Sequence, residues 1–366
     1  MFRARRASAI VAVVVLALLI VVRTADATRC FHYNEEIGVV CDGRVESEPG
    51  QFQVPEDVED SLLNYVTYAY MEDFANIYPE PSLGVAPLYN VGNGFLYVTI
   101  QGQVGANGHH WYIINPGQYA LAEDIRLVET PDFRGVEVAI QPDRPFGWFV
   151  QAGRLSDEPG GEPNSEYPEL ARFTFFQIFD AALDEDGWVW YDIGGNRWIR
   201  QTYVSIVDVH DPPDDVKEGE YWVEVDLYEQ SFAAYEGERM VYAGLVSSGL
   251  NRWPTYEGLF QVFSRFYQTK MSGAEGKVDY YFIEDVPYTM YFDPKNEIAL
   301  HGAFWHDRYG YKHSHGCVNM PPRDAEWVYY WSAGGPNDLW VWVHTSEPME
   351  YFDSFAHPDS LGLTSS

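Results

Sequence analysis

Hydrophobic and polar residues alternate in short runs along most of this chain, and Pro and Gly break the runs. Phe95 to Ile100 and Phe173 to Ile178 show the two-residue period of half-buried strands. From Tyr221 to Val343 the pattern stays β, opening with Trp222-Val223-Glu224-Val225-Asp226-Leu227, and Arg323 to Trp331 is the best helical candidate. The pattern therefore predicts a mostly β protein with one short helix. Two stretches stand apart: Ala9 to Val22 is apolar without interruption, and residues 346–366 form a polar, Ser-rich tail expected to carry no core.

The β pattern also repeats. The run from Trp111 to Tyr119 aligns without gaps onto the run from Trp190 to Trp198, and each copy leads into an apolar strand-like segment, Ile125 to Val128 and Val204 to Val207. Two similar modules follow, over residues 61–135 and 136–213. A small-residue turn joining a Trp-Tyr strand to a strand with another aromatic residue resembles bacterial SH3-like barrels, which implies two small barrels. Trp111, Trp190 and Trp198 are more simply barrel core than ligand-binding residues. With no paired nucleophile and base in the repeat, this region is expected to be a spacer or docking region. The acidic, Pro-containing break at His210-Asp211-Pro212-Pro213-Asp214-Asp215 marks the start of a further domain, 214–345.

Composition narrows the setting. With 46% hydrophobic residues the chain can bury a core, and a net charge of -32 would repel nucleic acid phosphates and anionic lipid at long range, so nucleic acid is excluded as a partner. Arg3, Arg5 and Arg6, the apolar stretch and Ala25-Asp26-Ala27 read together as a secretory signal over residues 1–27. The stretch is 14 residues, short of the roughly 20 that span a bilayer. An uncleaved anchor is the alternative, and the only membrane association expected. Export makes a disulfide between Cys30 and Cys41, neighbours in the N-terminal segment 28–60, the expected pairing. Cys317 is then the unpaired thiol.

The chemistry concentrates in His301-Gly302-Ala303-Phe304-Trp305 and, with 12 residues between His301 and Ser314, in Ser314-His315-Gly316-Cys317-Val318-Asn319. A thiol is only a few per cent ionised at neutral pH, and an imidazole that accepts its proton raises the reactive thiolate. Gly316 lets the backbone approach a reacting carbonyl, where amides can hold an oxyanion. Either His301 or His315 could be the base. His313, His315 and Cys317 alternate and would also suit zinc, though the Gly and the separate upstream His fit acyl transfer better. His306 and His313 read as loop residues.

These motifs resemble those of L,D-transpeptidases with the YkuD-type catalytic domain: a His followed, a dozen or more residues later, by Ser or Thr, His-Gly-Cys, a hydrophobic residue and Asn. Asp226 to Gln230, Val246 to Gly249 and Val286 to Phe292 are similar to other strands of that family, while Thr255-Tyr256-Glu257-Gly258 departs from its usual Thr-Pro before the Gly. The resemblance implies a β-sandwich-type catalytic domain with a short helix, following the SH3-like barrels. It implies Cys317 as nucleophile, His301 as base and acid, and the backbone of His315, Gly316 and Cys317 as oxyanion hole. Gly302 would orient His301 through its carbonyl, and Ser314, Trp305 and Asn319 would line the substrate site. The reaction implied is thioester formation with a peptidoglycan stem peptide and transfer to an acceptor amine, at the cell wall or in the periplasm, with no cofactor and no metal. Hydrolysis at the same site, or a non-catalytic wall-binding protein, are the competing readings.

Overall fold

The computed structural model describes residues 51–273 and 280–348, together with the backbone of the strands Cys30–His32 and Val39–Cys41. Those two strands pair antiparallel with Cys30 opposite Cys41. The expected disulfide, the signal or anchor and most of the tail lie outside the described residues. Among the described residues no helix is long and apolar enough to cross a membrane.

Two sheets enclose the main core. In one, Tyr221–Asp226 pairs antiparallel with Ser231–Glu236 and parallel with Trp340–His344. In the other, Tyr281–Asp293 pairs antiparallel with Ile298–Gly302, which pairs parallel with Val318–Met320. Val223, Val225 and Phe232 of the first sheet meet Met290, Leu300 and Val318 of the second, and the helix Pro322–Ala333 adds Ala325 and Val328. Pro at the first helical position suits the start, because its missing N–H has no intrahelical partner there. The domain is a mostly β sandwich with one helix.

The sequence repeat is a structural repeat. The first unit runs through strands Thr67–Met71, Phe95–Ile100, Gly102–Ala106, His109–Asn115 and Gln118–Leu121, the 3-10 turn Ala122–Asp124 and the strand Ile125–Val128. The second runs through Phe146–Phe149, Phe175–Gln177, Asp180–Leu183, Val189–Asp192, Trp198–Arg200, the 3-10 turn Gln201–Tyr203 and Val204–Val207. In both, the last, first and second strands form one sheet and the three middle strands another. Trp111 is fully buried and Trp198 nearly so, as core positions should be, but Trp190 is only half-buried and donates its Nε1–H to Asp184 Oδ2 at 2.7 Å.

The units are not detached from the sandwich. Phe95–Tyr97 of the first unit pairs parallel with Tyr281–Ile283, so the first unit's sheet continues the sheet that carries His301. The other catalytic sheet is completed by Val136–Val138 and Phe52–Gln53, which the sequence boundaries place in the second module and the N-terminal segment. Its outer face, with Trp222 and Tyr235, is covered by Phe146, Trp148 and Phe175 of the second unit and by Phe52. Both faces of Tyr221–Asp226 are therefore buried, the acidic Glu224 and Asp226 included. Each covering side chain contributes about 1.5–3 kcal/mol. A fragment starting near Asp214, which the sequence offers as self-sufficient, would lose these strands and expose this face.

Two buried carboxylates tie the parts together. Asp324 of the helix accepts from the Gly135 amide at 3.0 Å and from Tyr242 Oη at 2.8 Å. Glu224 Oε1 lies 2.8 Å from Nδ1 of His210, in the segment linking the second unit to the sandwich, and 2.6 Å from Nε2 of His344.

Candidate active site

His301 stands on the strand Ile298–Gly302, 1% exposed. Its Nδ1 lies 3.2 Å from the Gly302 carbonyl. A carbonyl only accepts, so Nδ1 carries the proton and Nε2 is the basic nitrogen. Burial lowers the imidazole pKa to about 4, against the opposing pull of that carbonyl. The ring is thus neutral at physiological pH and able to take a proton. Gly302 is tightly packed: a Cβ there would lie 3.0 Å from Pro287 Cγ and 3.1 Å from Pro322 Cα, so these neighbours would have to give by a few tenths of an ångström.

Cys317 is half-buried and is the free thiol among the described residues. It directly precedes Val318, which pairs with Leu300 next to His301, so the parallel register puts the thiol and the imidazole on neighbouring strands two residue positions apart. Burial pushes the thiol up to about 11, partly offset by the Ala299 amide. The expected enrichment of thiolate by a neighbouring imidazole is therefore absent at rest. Neutral thiol and neutral imidazole require proton transfer at the moment of attack, not a standing ion pair.

The turn before Cys317 is held by hydroxyls. Ser314 Oγ donates to the Cys317 carbonyl and accepts from the Gly316 amide at 3.0 Å. Gly316 adopts φ +119°, and the nearest atoms to an added Cβ are 3.7 Å away, so conformation and not space demands glycine. Thr255 Oγ1 donates to the Gly316 carbonyl at 2.7 Å and accepts from the Gly249 amide at 2.9 Å. This threonine, visible in sequence only as part of an unusual loop, joins the Val246-to-Gly249 segment to the motif.

Asn319 is buried and pairs in register with His301. Its side-chain amide lies 2.8 Å from His306 Nε2, while His306 Nδ1 accepts from the Arg308 amide at 3.1 Å. Burial and the neighbouring His313 hold His306 neutral. The atom of Asn319 at this contact is Nδ2, so its NH₂ is turned to His306. Trp305 lies with its ring centroid 5.6 Å from that of His301. The His315 ring is exposed and packs against Trp253 at 3.9 Å and Tyr281 at 5.3 Å.

His301, Trp305, Ser314, His315, Cys317 and Asn319 all line one cleft of about 500 Å³, within the usual range of ligand sites. Gly302 and Gly316 are not among its lining residues. Sequence reasoning missed one whole wall, made by Tyr70, Asp73, Asn93, Gly94 and Phe95 of the first repeat unit.

Among the described residues His210, Glu224 and His344 form the triad whose donor atoms lie close enough for a cation, within 4.8 Å of one another. Their contacts of 2.6 and 2.8 Å are shorter than the roughly 3.3 Å between ligands of a tetrahedral zinc. They are ion-pair contacts.

The fold and cleft define a β-sandwich domain with a thiol and buried imidazoles at one strand end. A family model, the YkuD L,D-transpeptidase catalytic domain, matches residues 220–343. A Bacillus subtilis protein assigned as an L,D-transpeptidase, YciB, is 29% identical over 151 residues, covering 36% of this chain and 73% of its own. A crystal structure of the Enterococcus faecium L,D-transpeptidase is 25% identical over 34% of this chain, with a TM-score of 0.31. This chain spans half the length of that protein. The catalytic domain of the E. faecium enzyme acylated by ertapenem is 24% identical, covered in full by 35% of this chain, with a TM-score of 0.30. Residues 220–343 thus match the YkuD L,D-transpeptidase catalytic domain.

Proposed function

We propose that the chain is an exported peptidoglycan L,D-transpeptidase in which Cys317 is the nucleophile and His301 the base and acid. The observation that carries this reading is the convergence, in one cleft, of a free thiol and a buried neutral imidazole whose Nδ1 is committed to the Gly302 carbonyl. As Sγ attacks the stem-peptide carbonyl, its proton passes to His301 Nε2 and an S–C bond forms. The oxyanion is received by backbone amides of the turn, that of Cys317 foremost, since the Gly316 amide is engaged by Ser314. Collapse breaks the C–N bond, and His301 returns its proton to the departing amine. An acceptor amine then displaces the thiolate, giving the crosslink.

The two repeat units are SH3-like modules in this reading, and they buttress the catalytic domain where the sequence suggests a spacer. No cofactor is needed for these steps. Incubation of the full chain with a defined stem tetrapeptide and an amine acceptor should release the terminal amino acid and yield a product of summed mass less that residue. Absence of both release and adduct would contradict the reading.

A further inference from the structure

The cleft has two walls of different origin. One is catalytic: Leu250 and Arg252 follow the strand Arg239–Leu245, and Met271, Tyr281 and Ile283 belong to the long hairpin formed by Ser264–Gly273 and Tyr281–Asp293. The other comes from the first repeat unit and is fixed by the parallel pairing of Phe95–Tyr97 with Tyr281–Ile283. Thr99 Oγ1 also donates to Asp285 Oδ2 across that junction. The wall is thus built into the sheet that carries His301.

Among the described lining residues are one Asp and one Arg, opposite in formal charge: Asp73 and Arg252. Asp73 is exposed and oriented by the Gly94 amide, which donates to its Oδ1 at 3.2 Å. Arg252 has its guanidinium over the Trp253 ring, 3.9 Å from the ring centroid, as guanidinium groups pack on aromatic faces. Phe95, 39% exposed, and Tyr70 supply apolar surface beside Asp73.

The repeat provides an internal control. At the same place in the second unit stands Gln151, the second residue after Phe146–Phe149 as Asp73 is the second after Thr67–Met71. The repeat fold therefore does not demand a carboxylate here. The second unit covers the back of the sandwich and contributes nothing to this cleft.

We propose that the first repeat unit supplies a substrate subsite in which Asp73 receives the ammonium of a stem peptide while Arg252 faces a carboxylate of the same segment. This rests on the transpeptidase reading and names the peptide chemistry it selects: a segment bearing both a free amine and a free carboxylate. The ammonium can belong to the acyl donor or to the acceptor.

The test is Asp73→Asn in the full chain, which keeps an oxygen for the Gly94 amide and removes the charge. Charge-assisted hydrogen bonds at an exposed site predict that KM for the amine-bearing peptide rises about 5- to 20-fold. Varying donor and acceptor separately shows which KM moves. The same peptides with that amine acetylated should show no difference between wild type and variant. Binding to Cys317→Ser protein, measured calorimetrically with and without Asp73→Asn, should weaken by the same factor, and this readout needs no turnover. Unchanged KM values and unchanged binding, or a loss that persists with the acetylated peptide, would overturn the subsite. A wild type that binds in an Asp73-dependent way but never turns over would overturn the transpeptidase reading and leave the subsite standing.

Discussion

Phe304, three residues beyond His301, stacks on Tyr68 of the first repeat unit with ring centroids 3.6 Å apart and planes 12° from parallel. Tyr97 of the same unit meets the Phe304 ring edge-on and approaches Trp305. The segment that follows the proposed base is therefore held by residues outside the family-matched region. Tyr68 is 1% exposed, and Tyr68→Ala should lower stability by about 3–5 kcal/mol, the usual cost of emptying a buried aromatic site. It should also reduce kcat/KM at temperatures where the variant stays folded. Thermal melts together with peptide turnover check this; an unchanged kcat/KM in a destabilised protein would limit Tyr68 to packing.

The Thr255 hydroxyl bridges two buried backbone groups at the motif. Thr255→Val keeps the shape and strands the Gly249 amide and the Gly316 carbonyl, at a cost of about 1–3 kcal/mol for each unsatisfied group. A lower melting temperature and slower acylation of Cys317 are expected. Equal acylation rates would show that the turn holds without it.

The thiol is raised to about 11 and His301 lowered to about 4. Alkylation by iodoacetamide should therefore keep rising with pH beyond 8.5, the ordinary thiol value. Peptide turnover should persist down through pH 6, because His301 gains its blocking proton only near pH 4. His301→Ala should lower turnover by roughly 10²- to 10⁴-fold while leaving the alkaline alkylation profile in place. A plateau of alkylation below pH 7 would instead reveal a standing thiolate–imidazolium pair.

Burial raises the Glu224 carboxyl, but the imidazoles of His210 and His344 outweigh it and bring it down from 4.5 to about 2. His210 is lowered by burial and raised more strongly by Glu224, from 6.5 to about 9. The carboxylate's contribution is complete above pH 4.5 and lost as pH falls through about 2. The imidazolium's is complete below pH 6.5 and lost as pH rises through about 9. The stability gap between wild type and Glu224→Gln should peak between these limits, at about 3–5 kcal/mol, the range for breaking a buried pair. Denaturant melts at pH 3, 5.5 and 10 check the shape; a pH-independent gap would rule out the ion pair.

The site was largely legible in the sequence because its residues lie in two short segments, each set by a local constraint. Gly302 fits where a Cβ would crowd Pro287, and Gly316 fits a left-handed turn. The β character and the repeat were legible for the same reason, since alternation and spacing are local. The shared sheets were not, because the pairing of Phe95–Tyr97 with Tyr281–Ile283 joins opposite halves of the chain and leaves no periodic trace. His306 read as a loop residue for a similar reason: its contact with Asn319 depends on a loop folding back.

On the proposed mechanism Cys317 is the nucleophile that becomes acylated. Intact-protein mass spectrometry of the full chain after exposure to ertapenem tests it most directly, with wild type and Cys317→Ala in parallel. The wild type should gain the mass of one molecule, located to the peptide containing Cys317, and Cys317→Ala should stay unlabelled and inactive on stem peptides. Labelling that survives Cys317→Ala, or an unlabelled wild type that still crosslinks stems, would contradict it.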